Sequence, residues 1–114
     1  MPALPPLHTA GTTSVTSEEQ FRALAASPTV VIFEFGAAWC KKCKTLALHI
    51  SKLAEENPSL PVFTVDIDEL VDLSSELGVS AIPRIVVYRD GRIVDDYTGS
   101  AEAEVTALFD RLKN

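Results

Sequence analysis

Residues 30–43 read VVIFEFGAAWCKKC, an apolar run that leads directly into a pair of cysteines. The first six residues are β-branched or aromatic almost without interruption, which predicts a strand buried on both faces of a sheet. Apolar residues then recur at helical spacing from residue 41 to residue 56. Cys40 and Cys43, the only two cysteines of the chain, are therefore predicted to lie where a buried strand gives way to a helix.

Patterns on either side of this stretch predict the remaining elements. They are a short edge strand at 12–15, a helix that Ser17 caps, a strand at 61–66, a helix that Asp68 caps, strands at 85–88 and 92–97 joined by Asp90-Gly91, and a final helix through residues 105–112. The order βαβαβαββα predicts an α/β fold, in which helices cover both faces of a mixed β-sheet. Parallel units come first and an antiparallel hairpin follows.

The composition indicates one small globular domain with an acidic surface. The chain has 114 residues, of which 46% are hydrophobic and 23% charged, and its formal net charge is −6. A chain of that length can form a single hydrophobic core without disulfides or metal sites to stabilise it. The negative charge argues against nucleic acids and anionic membranes as main partners, and no apolar run reaches the ~18 residues of a membrane span. Three prolines among the first six residues predict a flexible tail over residues 1–11, followed by a domain over residues 12–114.

The N-terminus has neither the regions of a secretory signal nor the Arg-rich pattern of a transit peptide. We therefore expect a cytoplasmic protein, and we expect a monomer. In a reducing compartment, a cysteine pair is more often catalytic or metal-binding than a structural disulfide. A zinc site would need two further ligands, for which the soft candidates are His8 and His49. A permanent structural disulfide between Cys40 and Cys43 is disfavoured, because it would close a very short loop and so restrict little chain entropy.

Three motifs together resemble the thioredoxin family. They are Trp39-Cys40-Lys41-Lys42-Cys43 at the strand-to-helix junction, Ile82-Pro83 ahead of the hairpin, and Gly99 before the last helix. The resemblance covers residues 15–114 and implies the thioredoxin fold and the activity of a protein disulfide reductase. It also implies disulfide-containing protein substrates, no bound cofactor, and a thioredoxin reductase that draws on NADPH to restore the dithiol.

The chain departs from the usual pattern of that family in four places. The dipeptide between the cysteines is Lys-Lys where Gly-Pro is typical, Glu34 stands where Asp is typical, and Gly36 stands where a bulky aromatic residue is typical. No basic residue occurs between residues 60 and 68, where the family often has a lysine. These differences leave the fold prediction intact and bear on the redox potential and the set of partners.

Cys40 is expected to be the nucleophile and Cys43 the resolving thiol. A sulfur at a helix N-terminus is favoured as thiolate by free backbone N–H groups and by the helix dipole. Lys41 and Lys42 add positive charge beside it and so tune its pKa downward. The lysines can also be interpreted as an ordinary solvated helix face, because exposed charges act weakly through water.

Glu34 is an acid inside an otherwise apolar strand. Strand alternation places it on one face with Ile32 and Gly36, and burial there would raise the pKa of its carboxyl, since no cation is near in sequence. The resemblance assigns it the role of accepting the proton of Cys43. The alternative is a glutamate near a strand end whose carboxylate reaches solvent.

The residues around Pro83 are expected to meet the substrate. The sequence alone favours a trans loop proline. The resemblance implies instead a cis bond packed against the cysteines, with the Ile82 backbone free to pair with an extended substrate. Trp39 is either a core residue or, with Ile82 and Gly99, part of an apolar docking surface. Arg84 adds a cation that is expected to favour acidic partners.

Two other functions fit the same residues. One is a glutaredoxin-like enzyme linked to glutathione, for which Trp39 and the long first helical segment are less suited. The other is a non-catalytic module that binds client proteins on a thioredoxin fold. A Cys40→Ser/Cys43→Ser variant that kept its biological role would identify the second.

Overall fold

The computed structural model describes residues 11–113. The predicted tail, residues 1–11, therefore lies outside the described residues except for Gly11, and so does His8. The elements are β1 (Thr13–Ser14), α1 (Glu18–Ala25), β2 (Val31–Gly36), α2 (Lys41–Glu56), β3 (Val62–Asp66), α3 (Val71–Glu76), β4 (Arg84–Arg89), β5 (Arg92–Thr98) and α4 (Glu102–Leu112). This is the predicted order. Across residues 11–113, no helix is long and apolar enough to cross a membrane.

The five strands form one mixed sheet in the order β1-β3-β2-β4-β5. Strand β2 lies at its centre, parallel to β3 and antiparallel to β4, so that Phe33 pairs with Phe63 on one side and with Val86 on the other. All six residues of β2 are buried, as its apolar sequence predicts for a strand covered on both faces. The predicted α/β fold with a mixed sheet is confirmed.

Two apolar clusters fill the two faces of this sheet. One cluster joins the sheet to α2 and α4 through Ile32, Leu46, Ile50, Val87, Leu108 and Phe109. The other joins it to α1 and α3 through Phe21, Phe33, Phe35, Leu73 and Val86. Successive residues of β2 thus alternate between the clusters. Each large apolar side chain that is fully buried contributes about 1.5–3 kcal/mol to the stability of the fold.

The turns and caps bear out most of the local predictions. The Ser17 hydroxyl accepts a hydrogen bond from the Gln20 N–H at 3.1 Å, which confirms the cap of α1. Asp90 and Gly91 have φ values of 55° and 76°, and both must be positive in a two-residue hairpin turn of this kind.

The prediction that Asp68 caps α3 is wrong. Helix α3 starts at Val71 with Leu70 at its N-cap, and no side chain caps it. The chain first makes a turn in which the Leu70 N–H donates to the Asp66 carbonyl at 3.0 Å. This turn leaves the Asp68 carboxylate available for a contact elsewhere.

Candidate active site

Both cysteines lie at the N-terminus of α2, directly after β2 and a short loop. Cys40 is the N-cap residue, and its Sγ accepts a hydrogen bond from the Cys43 N–H at 3.2 Å. The two sulfurs are joined in a disulfide, with 5.2 Å between the Cα atoms. Cys40 is 9% exposed and Cys43 is 0% exposed. Cys40 is therefore the member of the pair that keeps some surface for another molecule to reach.

The apolar wall around the disulfide comes from three separate parts of the chain. Ala37, Ile67 and Ile82 pack in one cluster with the two cysteines. Ile82 belongs to the loop before β4, and the peptide bond between Ile82 and Pro83 is cis, as the resemblance implied. Among residues 11–113, the Ile82 backbone has no hydrogen-bond partner. The predicted proximity of Ile82 to the cysteine pair is observed.

Gly99 borders the same loop from the end of β5. Its N–H donates to the Pro83 carbonyl at 3.0 Å, and its φ of +145° is one that residues with a side chain rarely adopt. A Cβ at this position would lie 2.6 Å from the Tyr97 hydroxyl, which in turn accepts a hydrogen bond from the Ala101 N–H at 3.1 Å. The backbone conformation favours glycine here, and a Cβ would also force the Tyr97 side chain to shift.

Trp39 is a surface residue, and its interpretation as a core residue is wrong. The side chain is 67% exposed, and its Nε1–H donates to the Asp68 carboxylate at 2.7 Å. Asp68 is itself placed by its own N–H, which donates to the Asp66 carboxylate at 2.8 Å. An exposed indole held by one charge-assisted hydrogen bond presents a flat apolar surface beside Cys40.

Sequence reasoning missed Asp68 as a residue of the site. A signal was available, because β2 and β3 are parallel and so end at the same edge of the sheet. Any residue that follows β3 is therefore a candidate neighbour of the cysteines that follow β2.

The cations near the site differ in how they are paired. Lys41 and Lys42 are exposed and Lys44 is half-buried. Within residues 11–113, none of the three has a carboxylate within ion-pair distance. Arg84, in contrast, donates to the Asp96 carboxylate across the hairpin at 3.1 Å. Asp96 therefore offsets part of the charge that Arg84 brings to the site, and the expectation that Arg84 favours acidic partners stays a prediction.

Glu34 is completely buried in β2. Its exposure is 0%, and neither carboxyl oxygen has a hydrogen-bond partner within the described part of the chain. Desolvation raises the pKa of this carboxyl from 4.5 to about 8. Glu34 shares its face of the sheet with Ile32, which is the face that α2 covers. The alternative of a carboxylate that reaches solvent is thus excluded.

His49 is neither free nor part of a ligand cluster. Its Nε2 lies 2.8 Å from the Thr106 hydroxyl of α4, so it links two helices. Among the described residues, no three His, Cys, Asp or Glu side chains are arranged to hold a metal ion.

Comparison with known proteins agrees with this geometry. The family model described as Thioredoxin matches residues 12–113. A Thioredoxin H-type protein of Fagopyrum esculentum is 31% identical over 87 residues, which cover 76% of this chain and 75% of that protein. A Thioredoxin H-type protein of Populus jackii is 37% identical over 87 residues, which cover 73% of this chain and 63% of that protein. The oxidised mitochondrial thioredoxin 3 of Saccharomyces cerevisiae has a TM-score of 0.81 at 28% identity, covering 89% of this chain and 95% of that one. The chain therefore belongs to the thioredoxin family and is a thiol–disulfide oxidoreductase.

Proposed function

We propose that the chain reduces disulfides in other proteins, with Cys40 as nucleophile and Cys43 as resolving thiol. The unequal environment of the two sulfurs supports these roles. Cys40 is the N-cap of a 16-residue helix and is partly exposed, whereas Cys43 is completely buried. An amide N–H directed at Sγ and the dipole of the helix both stabilise negative charge on the first sulfur.

The reaction proceeds in two exchanges. The Cys40 thiolate attacks one sulfur of the substrate disulfide, the substrate S–S bond breaks, and the other substrate sulfur leaves as a thiolate. Cys43 then loses its proton and attacks Sγ of Cys40 in the mixed disulfide, which releases the second substrate thiolate. The substrate has gained two electrons, and its two thiolates take up protons from the solvent. The Cys40–Cys43 disulfide is the oxidised product.

Glu34 is proposed as the acceptor of the Cys43 proton in those molecules whose Glu34 carboxyl is ionised, a fraction that grows as the pH approaches 8. It lies on the face of the sheet that α2 covers, and its carboxyl has a pKa of about 8. A carboxyl group with a pKa near that of a thiol exchanges a proton with it at little cost. Desolvation is the sole cause of this shift, and no charged group among residues 11–113 opposes it.

The substrate-binding surface is proposed to consist of Trp39, Ile82 and Gly99, with Pro83 holding the loop in position. Support comes from the exposed indole and from the hydrogen bond between Gly99 and Pro83. The Ile82 backbone, which has no hydrogen-bond partner within residues 11–113, adds to it. An extended substrate segment can pair with the Ile82 backbone as an added strand. Lys41 and Lys42 are proposed to lower the pKa of Cys40 from the exposed side of the helix.

The remaining proposals concern the cellular setting. No cofactor is proposed to bind, and the disulfide would be reduced again by a thioredoxin reductase that draws on NADPH. The proposed compartment is the cytoplasm, where reducing conditions keep a dithiol available, and the proposed state is a monomer. Neither the glutathione-linked enzyme nor the non-catalytic binding module gains support from the comparisons.

A trapping experiment tests the assignment of the two sulfurs. A Cys43→Ser variant should accumulate mixed disulfides with a protein substrate such as insulin, because the resolving sulfur is missing. Mass spectrometry should place every such bond on Cys40. The matched Cys40→Ser variant should form none and should not reduce insulin. If Cys40→Ser reduced insulin as fast as the native chain, the roles would be wrong.

A further inference from the structure

The basic residues of this acidic chain fall into two groups: four of the ten are joined to carboxylates, and within residues 11–113 the other six are not. The structure joins Arg22, Arg84, Arg111 and Lys113 to carboxylates. Helix α2 carries four lysines, and none of them has such a partner within residues 11–113; they are Lys41, Lys42, Lys44 and Lys52. Three of these four lie in the first turn of the helix, beside Cys40. An unneutralised positive cluster therefore borders the reactive sulfur.

Two of these lysines line a groove next to the disulfide. Its wall consists of Lys41, Lys42, Thr45, Leu46 and Ser100. The Thr45 hydroxyl is already donating to the Lys41 carbonyl at 3.2 Å, so the ammonium groups and the Ser100 hydroxyl remain as donors. The groove has a volume of about 230 Å³, below the ~300 Å³ at which pockets for free small molecules begin. That size fits a side chain of a docked partner better than a separate ligand.

The opposite side of the site carries the opposite charge. In the sheet order β1-β3-β2-β4-β5, the ends of β3 and β5 lie on different sides of the end of β2. Asp66 ends β3, and Asp68 and Glu69 follow it, whereas Ser100 and the lysine groove lie on the side of β5. The surface around the cysteines thus has carboxylates and Trp39 on the β3 side. The β5 side has Lys41 and Lys42, and its first carboxylate after Ser100, Glu102, lies 3.6 Å from His49.

We propose that the lysine groove binds an acidic side chain that lies on one side of the disulfide in a protein substrate. This inference rests on the proposed function and specifies its substrate class. The partner is selected by charge complementarity, because the two free ammonium groups attract a carboxylate and the acidic side of the site repels one. Acidic residues on the other side of the substrate disulfide do not reach the lysine groove and so do not increase the rate of reduction.

Synthetic peptides with one intramolecular disulfide test this directly. The peptides carry glutamates, serines or lysines, placed either before or after the cysteine pair. The rate at which the reduced full chain reduces each peptide is measured at low ionic strength. In one of the two placements, the glutamate peptide should be reduced about tenfold faster than the lysine peptide. The difference should shrink as salt shortens the Debye length from ~30 Å toward ~3 Å.

Matched variants separate docking from chemistry. Lys41→Gln/Lys42→Gln should abolish the difference between the glutamate and lysine peptides, even if it changes the rate for all peptides through the pKa of Cys40. Arg89→Gln/Arg92→Gln removes the same charge from two exposed arginines at the far end of β4 and β5 and should preserve the difference.

Equal rates in both placements, or a difference that survives Lys41→Gln/Lys42→Gln, would overturn the proposal. Failure of the proposed function itself would look different, because then the serine peptide would not be reduced either. Faster reduction of glutathione disulfide than of every peptide would also overturn it, since a small anionic thiol would then be the occupant of the groove.

Discussion

Replacing Glu34 with glutamine should remove a large pH dependence from the stability of the folded protein. In the unfolded chain this carboxyl loses its proton near pH 4.5, whereas burial holds the proton in the folded state up to about pH 8. Between these values the folded state binds one proton more, so its free energy of unfolding falls as the pH rises. One pKa unit corresponds to about 1.4 kcal/mol, and the full difference therefore corresponds to about 5 kcal/mol.

Urea unfolding of the oxidised protein, measured at intervals from pH 5 to pH 8, is the assay. Relative to Glu34→Gln, the native chain should lose about 3–4 kcal/mol over this range. The buried amide has its own cost of about 1–3 kcal/mol, but that cost is independent of pH. Glu56→Gln, which changes an exposed carboxylate at the end of α2, is the matched control. Parallel pH profiles for the native chain and Glu34→Gln would refute the argument that desolvation holds the proton on Glu34.

Other substitutions test the geometry around the cysteines. Gly99→Ala should destabilise the fold by about 1–3 kcal/mol, since it combines an unfavourable φ with a Cβ 2.6 Å from the Tyr97 hydroxyl. The control Gly91→Ala should lower the free energy of unfolding less, because φ is positive there but no atom is close. Equal losses for the two variants in chemical denaturation would contradict this reasoning. Asp68→Ala should free the Trp39 indole, which should shift its fluorescence and slow disulfide reduction several-fold. The free energy of unfolding should change by less than about 1 kcal/mol, because the lost hydrogen bond is exposed. Unchanged fluorescence and an unchanged rate would show that this bond does not position the indole.

Local sequence patterns were sufficient to predict most of the fold and part of the candidate active site. The apolar run of β2, the Ser17 cap and the Asp90-Gly91 turn are each determined by neighbours in sequence, so the sequence was sufficient to predict them. Burial of Glu34 was one of two interpretations that the sequence allowed, because a glutamate near the end of an apolar strand could also have reached solvent.

Contacts between distant segments could not be predicted in this way. The bond from Trp39 to Asp68 joins residues 29 positions apart, and the ion pair between Arg84 and Asp96 depends on the register of β4 and β5. Local propensity assigned Asp68 to a helix cap, since an aspartate before a helical pattern usually serves there. Tertiary contact determined its role instead.

The most direct test of the central claim is the pH dependence of alkylation at each sulfur of the reduced protein. Iodoacetamide labelling with mass spectrometry should show Cys40 reacting first, with a rate midpoint below the ~8.5 of a free cysteine. Cys43 should stay unmodified while the fold is intact, because it is completely buried. A Cys40 that titrates like a free cysteine, or a Cys43 that reacts before it, would contradict the account.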